Sequence, residues 1–148
     1  MTGDEVLEFL GRERTVVCAT FGHDGWPHLM PLWYLVADGE VWAWTYAKSQ
    51  KVRNLERDDR ATLMIEAGEE YQELRGVMIE TTATIHHDVD LVTDFGIRLF
   101  QRYSDGAGGD GSQFADAVRA QAAKRVVLQF APRRTASWDH RKLAAGVY

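Results

Sequence analysis

The spacing of apolar positions changes along the chain and separates strands from helices. Residues 75–87 place Val77, Ile79, Thr81, Ala83 and Ile85 on alternate positions, so they predict a long strand with one buried face. The run from Glu40 to Tyr46 alternates in the same way, and Asp38-Gly39 before it is a strong hairpin signal that pairs it with residues 26–36. Pro27 and Pro31 confine that partner to an edge or a bulge, where no ladder N–H is needed. The β-branched run Thr15-Val16-Val17 opens a strand over 14–21, and further strands are expected over 60–67 and 124–130. A helical period appears in Leu91, Val92, Phe95, Leu99 and Phe100, which predicts a helix over 88–103. Three shorter helices are expected. One starts at a Thr2…Glu5 capping box and ends at Gly11, one runs over 50–57 behind Ser49, and one covers 112–123. Residues 104–111 form a glycine-rich loop, and 132–143 a basic, irregular stretch.

Six strands with short connections and helices in few places do not alternate as βαβ units, so a doubly wound parallel sheet is disfavoured and a small, mostly antiparallel barrel with flanking helices is expected. A length of 148 residues fits one domain over 1–148 with a tail at 132–148. The single Cys18 excludes an intramolecular disulfide. No run approaches the roughly 20 apolar residues of a membrane span, and the acidic start Met1-Thr-Gly-Asp-Glu5 is unlike an export signal, so a cytoplasmic protein without a membrane partner is expected. A net charge of −5 argues against a nucleic-acid partner, although Lys48, Lys51, Arg53 and Arg57 form a local basic run.

Two constellations carry candidate chemistry. Lys48, Ser49, Lys51 and Arg53 surround a helix start, where free N–H groups, a hydroxyl and cations suit a phosphate. A solvated basic helix face is the alternative. Leu29-Met-Pro-Leu-Trp-Tyr34 on one side of the hairpin and Trp42-Ala-Trp-Thr-Tyr46 on the other offer aromatic faces and backbone groups freed by Pro31. Their alternative is a packed core. Together they suit a ligand with a flat head and a phosphate tail.

The segments His23-Asp-Gly-Trp-Pro-His-Leu-Met-Pro-Leu-Trp-Tyr34, Lys48-Ser-Gln-Lys-Val-Arg-Asn-Leu-Glu-Arg-Asp-Asp-Arg60 and Leu74-Arg-Gly-Val77 resemble the pyridoxamine 5′-phosphate oxidase-like split-barrel superfamily. Ser137-Trp-Asp-His-Arg-Lys-Leu143 is similar to a tail in its actinobacterial deazaflavin-dependent branch. The resemblance implies a homodimer of six-stranded antiparallel split β-barrels, with the deazaflavin coenzyme F-420, or alternatively FMN, in clefts between subunits. It implies that Lys51, with Lys48 and Ser49, holds the cofactor phosphate, that Met30, Pro31, Leu32, Trp33 and Thr45 border the ring, that Arg53 and Asn54 also bind, and that Trp138 closes a cleft from either subunit. The reaction implied is hydride transfer to a conjugated C=C or C=N bond of a small organic substrate. The ending Ala144-Ala-Gly-Val-Tyr148 lacks the Arg-rich terminus of true pyridoxamine phosphate oxidases, so that activity is not expected. No catalytic acid is assigned; Tyr46 and His28 lie near the ring segments, and solvent can serve as well.

Other chemistries fit less well. His86 and His87 are adjacent on a strand and point to opposite faces, so no metal site is expected. Ser137, Asp139 and His140 crowd too closely for a hydrolytic triad. Cys18 has no neighbouring Cys or His and reads as a core thiol. The competing functional class is a cofactor-binding, storage or sensing protein of the same fold without turnover.

Overall fold

The computed structural model describes residues 1–104 and 111–143, with the side chains of 111–113 excepted; the glycine-rich 105–110 and the end 144–148 lie outside the described residues. The chain runs α1 (Gly3–Arg12), β1 (Val16–Phe21), β2 (Pro27–Leu32), β3 (Tyr34–Ala37), β4 (Glu40–Tyr46), α2 (Gln50–Arg57), β5 (Arg60–Ala67), β6 (Arg75–His86), α3 (Val89–Tyr103), α4 (Gly111–Ala122) and β7 (Arg125–Asp139), with short 3-10 turns at Tyr71–Glu73 and His140–Lys142. All strand pairs are antiparallel, in the order β2-β1-β5-β6-β7-β4-β3. The architecture is mostly β with flanking helices, a curled antiparallel sheet that makes a half-barrel as in split barrels.

The strand count is seven, not the expected six, because 26–36 breaks at Trp33. On one side of Trp33, β2 pairs with β1, where Pro31 lies opposite Val17; on the other, β3 pairs with β4, where Tyr34 lies opposite Ala43. These two strands are the opposite edges of the sheet, so one residue carries the chain from edge to edge and the sheet must curl to allow it. Both prolines lie on an edge strand, where the missing N–H costs no ladder bond on the open side. Asp38 at φ 53° and Gly39 at φ 77° give the tight β3–β4 hairpin, whose two central residues require positive φ.

A second correction concerns 132–143. Residues 132–139 are not irregular but continue β7, paired with the first half of β6 from Glu80 opposite Arg134 to Arg75 opposite Asp139. Pro132 is tolerated because the register shifts at Glu80/Thr81 and because β4 pairs with β7 only as far as Phe130. The first helix also runs one residue past Gly11, to Arg12, and its Thr2/Glu5 capping box is formed.

Alternation along β4 divides the interior in two. Val41 and Ala43 face the barrel core with Val16, Cys18, Leu63, Val77, Leu128 and Phe130, which Phe9 and Leu10 of α1 and Val52 and Leu55 of α2 plug from the ends. Trp44 faces outward into a separate core with Val92, Phe95 and Leu99 of α3, Val118 and Ala122 of α4 and Val127 of β7. Burial raises the Cys18 thiol to about 12, so it is a protonated core group at neutral pH. Tyr34 is fully buried and donates from its hydroxyl to the Leu10 carbonyl at 2.7 Å, which ties β3 to the end of α1.

Candidate cofactor site

The basic run enters the structure as α2, with the boundaries its pattern predicts. On this helix Lys51, Val52, Asn54 and Leu55 form the buried face, so Lys51 shares its face with the apolar residues that plug the barrel. Only 7% of Lys51 is exposed. Its Nζ donates to Thr45 Oγ1 at 3.0 Å, and no carboxylate pairs with it among the described residues. Burial therefore holds its pKa below the ordinary lysine value, with the nearby Cys18 acting in the opposite direction.

Ser49 occupies the N-cap position of α2, at φ −70° and ψ 154°, but makes no capping bond. Its Oγ is buried without a hydrogen-bond partner. An unpartnered buried hydroxyl and a buried ammonium group without an anion stand within two residues at one helix start, and both are costly until an acceptor arrives. Lys48 and Arg53 are exposed beside them. Hydroxyl, ammonium and guanidinium donors close together in sequence at a helix start are the chemistry that suits a phosphate.

Asn54 has a different place. It is fully buried, donates from Nδ2 to Thr20 Oγ1 at 3.0 Å, and accepts on Oδ1 from Gln50 Nε2 at 2.8 Å and Arg57 Nη2 at 2.9 Å. The Thr20 bond pins α2 to β1, and the other two lie within α2. Asn54→Ala is expected to cost about 1–3 kcal/mol, since it strands the Thr20 hydroxyl in the interior. Urea unfolding of the variant measures this, and a change within about 0.3 kcal/mol would refute the anchoring role.

The ring-side residues meet at the seam between the sheet edges. Pro31, Leu32, Trp33, Trp44, Thr45, Leu99, Phe100 and Arg125 line a recess of about 280 Å³. Four residues expected around the ring, Pro31, Leu32, Trp33 and Thr45, are therefore brought together, with Thr45 common to the recess and the Lys51 contact. Trp33 is 48% exposed, stacks on Tyr103 at 4.4 Å and meets Phe100 edge-on at 6.4 Å. Met30 is exposed on β2 outside this lining. Tyr46 is exposed and packs on Arg125, while His28 Nδ1 is buried without a partner.

Trp138 is not brought to the recess of its own chain. It lies twelve residues along β7 from Val126, which pairs with Thr45, a contour length on the order of 40 Å at the usual strand rise. There it sits opposite Gly76, and a Cβ at Gly76 would meet the Trp138 ring. Arg125, Leu99 and Phe100 are lining residues that the sequence reading missed. Leu99 and Phe100 were visible only as a helix stripe, and the position of Arg125 depends on the β4–β7 pairing.

A larger groove of about 580 Å³ opens between Phe21, Arg60, Thr62, Glu80, Thr82 and Arg133 on the outer face of β5 and β6. None of the residues expected to bind cofactor lines it. No group of His, Cys, Asp and Glu able to hold a metal ion occurs among the described residues, and no described helix is long and apolar enough to cross a membrane.

Comparison with solved structures finds a conserved hypothetical protein from Mycobacterium tuberculosis at 40% identity, covering 99% of this chain and 92% of that one, with a TM-score of 0.86. An F-420 reductase matches at 19% identity over 87% of this chain and 94% of that one, with a TM-score of 0.70. The heme storage protein from Vibrio cholerae matches at 15% identity over 93% of each chain, with a TM-score of 0.69. The last two likenesses are likenesses of fold alone. No curated protein matches. The family model described as pyridoxamine 5′-phosphate oxidase matches residues 2–139, which include all seven strands of the sheet, and the chain belongs to that family.

Proposed function

We propose that the protein is a homodimeric oxidoreductase that binds a phosphate-bearing flavin-type cofactor, coenzyme F-420 in preference to FMN, and reduces a conjugated C=C or C=N bond of a small organic substrate. The observation that carries the reading is the pair of groups at the start of α2, the buried Ser49 hydroxyl without a hydrogen-bond partner and the buried Lys51 ammonium whose acceptor is the neutral Thr45 hydroxyl, beside a recess lined by Trp33 and Thr45. Ser49 and Lys51 hold the phosphate with support from Lys48 and Arg53, and Pro31, Leu32, Trp33 and Thr45 border the ring. When bound, such a cofactor supplies a hydride. The chain's own residues exclude water from one side of the recess, through Leu99, Phe100 and Trp44, and fix the orientation of a flat ligand. No side chain is assigned as proton donor.

The homodimer reading is supported by the outer face of β1, β5 and β6. Helices α3 and α4 pack over β4 and β7, whereas Phe21 and Met64 stay exposed on that outer face. In the dimer Trp138 serves the cleft of the partner subunit. Titration of the purified protein with F-420 and with FMN, followed by fluorescence at fixed salt, tests the cofactor; tighter binding of F-420 is expected. Consumption of reduced F-420 on adding conjugated enones and quinones then tests the reaction. Binding of neither cofactor overturns the reading, and tight binding without turnover of any acceptor replaces it with a storage or sensing role.

A further inference from the structure

The recess holds a cation that the phosphate site does not use. Arg125 stands on β7 opposite Tyr46, with its guanidinium carbon 4.0 Å from the centre of the Tyr46 ring and 4.3 Å from that of Trp44. Two aromatic rings at these distances restrict the orientation of the guanidinium and cover part of its surface. Its Nε is buried without a hydrogen-bond partner, and no carboxylate pairs with it among the described residues. Trp44 Nε1, on the indole edge that lies near Gly96 of α3, is a buried donor without an acceptor behind the wall. Thr45 Oγ1, the hydroxyl of the recess, already accepts from Lys51. The wall thus combines aromatic surface with surplus donors, the opposite of what a cationic or purely apolar guest requires.

A fixed guanidinium fork fits a planar, two-oxygen anion better than a point-like one, because parallel N–H donors meet both oxygens. We infer that Arg125 is a specificity-determining residue and that the substrate class of the recess is a planar conjugated acid, its carboxylate held by Arg125 and its flat body against the aromatic wall. This deepens the cofactor reading, on which the assignment of the anion to a substrate rests. The same chemistry would suit a carboxylate carried by the cofactor itself, so the test separates the two sources.

The probes are trans-cinnamate and its uncharged analogue cinnamamide, titrated into the full chain labelled with 15N and followed by the arginine Nε–H signals. Cinnamate is expected to shift one such signal, absent from Arg125→Lys, and to bind at least about 10-fold more tightly than cinnamamide, as a charge-assisted bond requires. In Arg125→Lys and Arg125→Met that preference should fall to within about twofold, with backbone spectra showing both variants folded. Equal binding of the two probes by the wild type, or an unchanged preference in the variants, overturns the inference. Repeating the titration with F-420 or FMN at saturation locates the anion: simultaneous binding supports a substrate carboxylate, whereas mutual exclusion assigns the site to the cofactor and overturns the substrate class. If neither cofactor binds, the cofactor reading fails and the substrate assignment falls with it, while the cinnamate preference still decides whether Arg125 reads an anion.

Discussion

Lys51→Met is expected to weaken cofactor binding by about 10- to 150-fold and, in the same protein, to raise the melting temperature of the cofactor-free state. The affinity loss follows from removing a charged donor to phosphate, an interaction of about 1.5–3 kcal/mol. The stability gain follows from the surroundings of Lys51: its side chain is almost wholly enclosed, has Thr45 Oγ1 as its acceptor and has no anion among the described residues. An apolar side chain of similar length fills the space without the cost of desolvating a charge. A gain of about 1 kcal/mol appears as about 2–4 °C in a chain of this size. The effect depends on pH with a definite sign. Burial lowers the Lys51 pKa from its ordinary value of 10.5, so between the two values the unfolded chain binds more protons than the folded one. Wild-type stability therefore rises with pH through that window, and the advantage of the Met variant shrinks as pH approaches 10.5. Thermal melts at neutral and high pH, paired with the cofactor titration, check both halves. A variant with unchanged affinity would place the phosphate elsewhere.

Gly76→Val should be among the most destabilising single changes in the sheet. A Cβ at Gly76 would stand 2.6 Å from Trp138 Cη2, closer still to Cζ2, and 2.9 Å from the Ile65 carbonyl oxygen. The indole can swing aside; the carbonyl belongs to β5, the neighbouring strand of the ladder, and cannot. Overpacking of this kind costs about 1–3 kcal/mol, or about 2–12 °C in melting temperature. Gly76→Ala with Trp138→Ala should recover only part of the loss, because the carbonyl contact remains. A melting temperature within about 1 °C of wild type for Gly76→Val would show that the close packing of Trp138 is not required.

Much of this arrangement could be read before the fold was known, wherever one local period decides the outcome. The boundaries of α2, the alternation of β6 and the Asp38-Gly39 hairpin are local signals, and each matches the structure. The break at Trp33 could not be read, because Leu29 to Val36 is an unbroken apolar run and the edge-to-edge crossing is set by partners far away in sequence. The continuation of β7 through Pro132 could not be read either, because its tolerance comes from the bulge and from where β4 stops. At the site, Lys51 and Asn54 are three apart like Val52 and Leu55 and share their buried face in the structure, yet a basic run reads first as solvated surface. The aromatic hairpin divided between both of its readings. Trp44 and Tyr34 are core, and Trp33 is half-exposed at the recess.

The crossing at Trp33 also bears on how the protein stays unassociated while it folds. An open sheet of seven strands ordinarily presents two unpaired edges, each a template for strand addition from another chain. Here both edges belong to one uninterrupted stretch, residues 27–37, tethered at its middle by the Trp33 ring stacked on Tyr103. An intruding strand cannot lie along the length of either edge without running into the turn that leads to the other, and Pro27 and Pro31 withhold two of the donors it would need. The residue that opens the recess to a ligand thereby also guards the sheet against its own kind.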